Sequence, residues 1–272
     1  MMDAKLQKRV QRYGWDRSAP EYERSWRDQL QPAQELLLEL VALQPGESVL
    51  DVACGTGLVT LPAARAVGTA GSVLGTDISA AMIDLCRQAV AADSLNNVSF
   101  QRMEAEALQC DDSVFDAVLC ALGLMYVTDF AGSVQEMFRV TKTGGRAVAA
   151  VWGQRDRCGW AEIFPIVDHR VSTDVCPLFF QLGTGATLEM LFKQAGFDQV
   201  QTHRIDRALD YANGEEACLA AFAGGPVAMA YSRFDEPTRA EVHAEYLKSI
   251  EPYERGGRYE IPGEFVVVAG RR

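Results

Sequence analysis

Over the first 152 residues, short apolar runs alternate with stretches in which apolar residues recur at helical spacing. Ser48–Val52, with Val49, Leu50 and Val52, predicts a buried strand. Leu58 to Val67 carries helical spacing, with Pro62 tolerable only in the first turn. Ser72–Asp77 predicts a second strand, and Ser79 is placed to cap a helix running to about Ala92. Asn96-Asn97 turns the chain into a third strand, Val98–Arg102, and Phe115–Cys120 predicts a fourth. Phe130–Val140 presents Val134, Met137, Phe138 and Val140 at helical spacing, and Gly144-Gly145 opens a fifth strand, Arg146–Trp152. Strands and helices alternating at these lengths predict a doubly wound parallel sheet covered on both faces.

The flanks are less regular. Met1 to Arg12 is polar and reads as loosely held at its start. Tyr13-Gly14-Trp15-Asp16-Arg17-Ser18-Ala19-Pro20-Glu21-Tyr22 places three aromatics in a polar context, which predicts that it folds onto another surface. Ala33 to Leu43 predicts an amphipathic helix with Leu36, Leu37, Leu40 and Leu43 on one face, broken by Pro45-Gly46. Beyond Trp152, Gly153 to Gly185 mixes Trp160, Phe164, Phe179 and Phe180 with breakers. It predicts one or two cap helices over about Trp160 to Val171. Thr187–Ala195 predicts a helix closed by Gly196, Val200–Leu209 a long strand, and Glu215–Phe222 and Val227–Ile250 a helical block. Glu264–Ala269 predicts a last strand behind Pro262-Gly263. Four segments follow: an N-terminal helical lid over 1–45, a ligand-binding core over 46–152, a helical cap over 153–186, and the rest of the sheet with inserted helices over 187–272.

Composition narrows the functional classes. The chain of 272 residues is 48% hydrophobic and 23% charged, with a net charge of −11. That balance disfavours non-specific nucleic-acid binding, which requires clustered Lys and Arg. No apolar run approaches the ~20 residues of a membrane span, and the polar, mixed-charge start predicts no signal peptide. Seven cysteines with no C-x-x-C pair give neither a zinc ligand set nor a disulfide framework, so no metal and a reducing, cytoplasmic setting are expected. The expected assembly is a monomer or homodimer.

The candidate chemistry lies at the carboxyl ends of successive strands, where open parallel sheets bind ligands. Asp51-Val52-Ala53-Cys54-Gly55-Thr56-Gly57 is a glycine turn between strand and helix. Its glycines allow tight turning and close backbone approach to a ligand. Asp77 ends the second strand, and a carboxylate there can accept hydrogen bonds from both hydroxyls of a ribose. Met103-Glu104-Ala105-Glu106 follows the third strand and Ala121-Leu122-Gly123-Leu124-Met125-Tyr126 the fourth. A dinucleotide site would want G-x-G-x-x-G, but Thr60 stands where the third glycine belongs, which disfavours an NAD-dependent oxidoreductase.

Leu50-Asp51-Val52-Ala53-Cys54-Gly55-Thr56-Gly57 resembles the first motif of class I S-adenosylmethionine-dependent methyltransferases, and Asp77-Ile78-Ser79 with Met82 resembles the second. Glu104-Ala105-Glu106-Ala107-Leu108 and Ser113-Val114-Phe115-Asp116-Ala117-Val118 resemble the third and fourth. Gly123-Leu124-Met125-Tyr126 and Arg139-Val140-Thr141-Lys142-Thr143-Gly144-Gly145 extend the likeness to the ubiquinone/menaquinone-biosynthesis methyltransferases and related small-molecule enzymes. The likeness covers about Tyr13 to Trp152. It implies a mostly parallel seven-stranded Rossmann-like α/β sheet with an antiparallel last strand, and S-adenosyl-L-methionine as cofactor. It implies that Gly55 and Gly57 approach the methionine moiety, that Asp51 organises the turn near the ammonium, with Ala53 within it, and that Ala121 offers that ammonium a carbonyl. Asp77 would hold the ribose, Ile78 would pack on adenine near Met82, and Glu104 with the Ala105 N–H would meet the adenine edge. Trp15 and Tyr22 would close over the cofactor. Two departures stand out: Glu104 replaces the usual Asp, and Gln109-Cys110 replaces a usual Pro-aromatic pair.

Among the histidines, His169 lies in the cap and is the candidate general base. His203 and His243 read as structural or solvent-facing, and Cys54 as a small packed residue. Methyl transfer from a sulfonium requires mainly alignment and exclusion of water, so a strong catalytic motif is not expected. The methyl acceptor would sit against the N-terminal segment, Gly153 to Gly185 and Val227 to Ile250, whose Trp, Phe, Met and Tyr suit a partly apolar small molecule. The alternative is a protein of the same fold that binds the cofactor without methylating.

Overall fold

A computed structural model describes residues 4–171, 176 and 178–272. The expectations for Met1 to Asp3, and for residues 172–175 and 177 of the cap, fall outside the described residues. The chain opens with α1 (Ala4–Val41), followed by β1 (Ser48–Val52), α2 (Thr60–Val67), β2 (Ser72–Asp77), α3 (Ala80–Asp93), β3 (Val98–Arg102), β4 (Phe115–Ala121), α4 (Phe130–Val140) and β5 (Thr141–Trp152). Then come α5 (Ile163–Asp168), α6 (Thr187–Ala195), β6 (Asp198–Tyr211), α7 (Gly214–Cys218), α8 (Ala228–Tyr231), α9 (Glu236–Ile250), β7 (Glu254–Arg255) and β8 (Arg258–Arg271).

One sheet runs in the order β3-β2-β1-β4-β5-β8-β6, with β7 attached to β8. The pairs from β3 to β5 are parallel, and β8 inserts antiparallel between β5 and β6. The expected Rossmann-like sheet with an antiparallel last strand is therefore present, with the two-residue β7 added. β1, β4 and the Ala147–Trp152 part of β5 are almost wholly buried, as strands covered on both faces must be. Among the described residues no helix is long and apolar enough to cross a membrane, and no group of three His, Cys, Asp or Glu is placed to hold a metal ion.

The N-terminal region departs most from expectation. Instead of a polar segment followed by a helix from Ala33, a single 38-residue helix runs through Pro20 and Pro32. Its buried stripe contains Gln7, Gln11, Ser18, Ala19, Trp26, Leu30, Ala33, Leu37 and Val41. The first half of that stripe is polar, so hydrophobic periodicity cannot reveal it. An interior proline costs an isolated helix about 3 kcal/mol; here packing along the whole length outweighs that.

Other boundaries shift for local reasons. β5 begins five residues early, at Thr141, because β4 pairs Phe115 with Thr141 and then Ala117 with Arg146, leaving Gly144-Gly145 in an irregularity. The cap helix is shorter than expected, Ile163–Asp168 rather than Trp160 to Val171. The Val227–Ile250 helix is two helices, α8 and α9, because Asp235 caps α9 through Thr238 N and Pro237 occupies its first turn. Glu215–Phe222 is α7 followed by a π-helical turn over Leu219–Ala223. β8 continues through Pro262-Gly263 rather than starting after them. The Pro262 carbonyl accepts from Gly159 N at 2.8 Å on the side where β5 has already ended at Trp152, opposite Phe265. A residue's N and O project to the same side of a strand, so the missing N–H removes no bond to β6.

Candidate active site

The loops after β1, β2, β3 and β4 converge with α1 on one cleft, enclosing about 750 Å³ of unfilled space including its mouth. Ten of the twelve residues expected at the cofactor line it: Trp15, Tyr22, Ala53, Gly55, Asp77, Ile78, Met82, Glu104, Ala105 and Ala121. The other two sit differently. Asp51 lies behind the turn and lines a smaller cavity that shares Tyr22, Ala53, Gly55 and Ala121 with the cleft. Gly57 lines neither; a Cβ there would lie 3.3 Å from Cys86 Sγ, so Gly57 lets the turn pack closely on α3.

The turn is held by specific bonds. Asp77, only 7% exposed, accepts from Gly55 N at 3.0 Å through Oδ2 and from Ser79 N at 2.8 Å through Oδ1. Each oxygen keeps lone-pair capacity for a ligand hydroxyl. Asp51, 1% exposed, accepts the Thr60 hydroxyl at 2.6 Å through Oδ2, while its Oδ1 is buried without a partner. Thr56 Oγ1, lining the same small cavity, is also buried without one. Burial raises the Asp51 carboxyl to about 7, with the Asp77 charge adding to the rise and the Thr60 bond opposing it. Burial likewise raises Asp77 to about 6, against the backbone bonds from Ser79 and Gly55 and with the Asp16 charge. Two buried carboxylates with no cationic partner form a site that favours positive charge.

Backbone strain concentrates at the same place. Ala53, after β1, has φ +55°, and Leu122, after β4, has φ +61°. Non-glycine residues adopt this region at a cost and gather at functional sites. Gly123 fits between them because a Cβ there would lie 2.4 Å from the Ala53 Cβ.

Helix α1 closes the cleft from above. Asp16 Oδ1 accepts from the Ser79 hydroxyl at 2.6 Å and from Ala81 N at 3.2 Å, fastening α1 to the start of α3. Lys8 Nζ bonds Glu104 Oε2 at 2.7 Å and Glu106 Oε2 at 2.9 Å, bridging α1 to the loop after β3. Glu106 Oε1 accepts from Thr128 N, Thr128 Oγ1 and Asp129 N. Burial alone would raise the Glu106 carboxyl, but the Thr128 and Lys8 bonds hold it below its ordinary value. Glu104, 46% exposed, is occupied by Lys8. The Trp15 ring stands edge-on to Tyr22 at 5.7 Å and to Tyr126 at 4.8 Å.

Sequence reasoning did not select Lys8, Gln11, Thr56 or Tyr126 as site residues. The first two lie on the polar half of the α1 stripe, where nothing marked a buried face. Thr56 and Tyr126 lay within quoted motifs, and alternating strand ends could have suggested them. His169 is placed against expectation. It caps the end of α5, exposed on the outside, and is not among the residues lining the cleft, so it is not positioned as its general base. Val227 to Ile250, expected beside the cleft, lies elsewhere. A second compartment adjoining the cleft uses Trp26, Trp160, Phe179, Gly225 and Pro226, not α9. Helix α9 instead packs Val242, Tyr246 and Ile250 inward and lies against α5 and α7, and its His243 Nε2 lies 2.9 Å from the Tyr231 hydroxyl of α8.

Residues 49–145, from β1 into β5, match a family described as "Methyltransferase domain". A demethylmenaquinone methyltransferase from Bacillus cereus (strain B4264) is 30% identical over 178 residues, covering 60% of this chain and 75% of that protein. The chain belongs to the class I S-adenosylmethionine-dependent methyltransferases. A demethylmenaquinone methyltransferase from Shouchella clausii is 46% identical over 106 residues, but these cover 39% of this methyltransferase and 45% of that one, so the chain spans about half of that relative's length. Phosphoethanolamine N-methyltransferase 2 from Haemonchus contortus, solved with S-adenosyl-L-methionine, has the same fold with a TM-score of 0.62, covering 94% of this chain and 57% of that one at 15% identity.

Proposed function

We propose that this methyltransferase binds S-adenosylmethionine in the cleft between α1 and the β1–β4 loops and methylates a small, partly apolar molecule. The observation that carries the reading is the pair of buried carboxylates, Asp51 with an orphaned oxygen and Asp77 with spare lone pairs, at the edge of an otherwise largely apolar cleft. These residues fit the cofactor. Asp77 would accept from the ribose hydroxyls, and Ile78, Met82 and Met103 offer the adenine an apolar bed. Asp51, Thr56 and the backbone of Ala121 would surround the cationic amino-acid end. When bound, the cofactor supplies a methyl group on a sulfonium already activated by its charge.

The chain's own contribution is alignment and exclusion of water. Trp15, Tyr22 and Tyr126 cover the cleft where the two compartments meet, so an acceptor entering the aromatic compartment would face the turn across these rings. Near-contact geometry in a dry site accounts for a large share of the rate in such transfers. Among the described residues no charged side chain or histidine lines the aromatic compartment, so the groups on the page that could serve as a base, where the acceptor needs one, are the cleft carboxylates.

Incubating the protein with methyl-labelled S-adenosylmethionine and a library of small metabolites tests the reading. Transfer of label to a small molecule, lost in Gly55→Val, is expected. Tight cofactor binding without transfer across a broad library would instead favour a non-methylating protein of this fold.

A further inference from the structure

A groove of about 520 Å³ opens beside the part of the cleft assigned to adenine, between the first turns of α1 and the end of β3. Its size is that of a small-molecule site. It shares Lys8, Ile78, Met103 and Glu104 with the cofactor cleft and no residue with the aromatic compartment, so a molecule held there is separate from the proposed methyl acceptor. Its charge runs against the composition of the chain. The protein has 26 Lys and Arg against 37 Asp and Glu, yet five cations and one carboxylate line this groove among the described residues. Lys5, Lys8, Arg9 and Arg12 come from α1, and Arg102 from the end of β3. The four on α1 follow helical spacing and share one face, where like charges three or four residues apart repel. Glu104, the carboxylate, is already bonded to Lys8, which also reaches Glu106. Among the described residues no carboxylate pairs with Arg9, Arg12 or Arg102, and Arg12 Nε is buried without a hydrogen-bond partner. Arginines elsewhere, such as Arg139, Arg146 and Arg204, are tied to carboxylates. Gln109, one of the departures from the family's usual residues, adds an uncharged amide to the same groove.

We propose that this groove is a second ligand site, which takes a small molecule bearing a di- or triphosphate and, when filled, ties α1 to the end of β3 across the cofactor cleft. Unpaired guanidinium groups suit phosphate oxygens, which they can engage through two parallel hydrogen bonds. Lys5 to Arg12 spans about 10 Å along a helix rising ~1.5 Å per residue, so charge spread along a chain of phosphates matches the row better than a single tetrahedral anion does. A long polyanion such as RNA is disfavoured, because the net charge of −11 repels whatever extends beyond the groove. The consequence for the cleft follows from the walls. Cations on α1 and on β3 repel one another, and an anion between them removes that repulsion. The same closure of α1 covers the cofactor, so the two ligands favour one state and each strengthens the other's binding. That coupling rests on the proposed cofactor site; binding in the groove does not.

Calorimetric titration of sodium tripolyphosphate into the full chain, with sodium sulfate as the single-anion comparison, tests the proposal. One equivalent of tripolyphosphate should bind, more tightly than sulfate, and its affinity should fall between about 50 and about 200 mM salt. Arg9→Gln and Arg102→Gln, on the two walls, should each weaken it about three- to tenfold, as expected for loss of one partly exposed charged contact. Lys248→Gln, which removes an exposed charge on α9 outside the groove, should leave it unchanged. Saturating S-adenosylhomocysteine should tighten tripolyphosphate binding about fivefold, at the low end of ordinary coupling between sites. No binding of tripolyphosphate to the wild type, sulfate binding as tightly, full affinity in both folded groove variants, or an equal loss in Lys248→Gln would each overturn the site. Binding of oligouridylate or of phosphatidylglycerol vesicles where tripolyphosphate fails would overturn it in favour of a macromolecular partner. Tripolyphosphate affinity that ignores bound S-adenosylhomocysteine would overturn the tie across the cleft. The wild-type titrations decide the matter even where a variant fails to fold. Failure of S-adenosylhomocysteine itself to bind would count against the cofactor reading, which keeps the two failures distinct.

Discussion

Cofactor affinity should rise with pH between about 5 and 7, and Asp51 should be its principal source. The Asp51 carboxyl is raised from its ordinary 3.8 to about 7 by burial and by the Asp77 charge. That difference corresponds to up to about 4 kcal/mol opposing ionisation of the ligand-free site. A ligand cation beside Asp51 favours the carboxylate, so binding at pH 6 must expel a proton. Affinity then strengthens by up to about tenfold per pH unit for one proton released, and levels off above pH 7. In the ligand-free protein the sign is opposite. A carboxyl raised on folding contributes stability that is complete below about 4 and is lost as pH rises through about 7. Carboxyls lowered on folding, among them Glu47, Glu106, Asp116 and Glu136, act below that window. Calorimetry with S-adenosylhomocysteine at pH 5.5, 6.5 and 7.5, in buffers of different ionisation enthalpy, reads both affinity and proton release. About a tenfold gain from 5.5 to 7.5 with net proton release is expected, and Asp51→Asn should flatten it. A wild-type affinity that is constant or falls over that range would refute the electrostatic reasoning.

Three further outcomes follow from the geometry. Gly123→Ala places a Cβ 2.4 Å from the Ala53 Cβ, and overpacking of this kind costs about 1–3 kcal/mol, so a lowered melting temperature and weaker cofactor binding are expected in the same variant. Asp16→Ala removes the bonds to the Ser79 hydroxyl and Ala81 N; limited proteolysis should then cut within α1 faster, and S-adenosylhomocysteine should dissociate faster, while unchanged cleavage would show that α1 is held elsewhere. Arg139→Ala breaks bonds to Glu136, Asp112 and the carbonyls of Leu108 and Cys110, so chemical denaturation should show a loss of about 1–3 kcal/mol with cofactor affinity little changed.

How far these features were legible in the sequence depended on where the chain faces. β1 to β5 and α2 to α4 lie in a covered parallel sheet, whose apolar runs and helical stripes are strong local signals. Ser79 as a cap was equally readable, and its side chain does accept from Met82 N. The carboxylates of the site followed from their places at strand ends. By contrast, the first half of α1 buries the polar Gln7, Gln11 and Ser18, so it carried no hydrophobic period, and its prolines argued for a break. Glu104 was read from its motif as an adenine contact, but the Lys8 ion pair that occupies it joins residues 96 apart in sequence. The aromatic compartment is assembled from α1, the loop after β4, β5, the cap and the turn at Gly225, five regions that no local pattern connects. His169 looked available because it lies in the cap, and only the packing of α5 shows that it faces outward.

The central claim is that the turn after β1 and the carboxylate ending β2 form one S-adenosylmethionine site. Calorimetric titration of S-adenosylhomocysteine into the wild type and Asp77→Ala tests it most directly. One equivalent should bind the wild type. The variant loses a buried acceptor of charge-assisted hydrogen bonds, each worth about 1.5–3 kcal/mol, together with the bond that fixes Gly55 N, so its affinity should fall by at least about tenfold. An Asp77→Ala protein that remains folded and binds as tightly as the wild type would contradict the account.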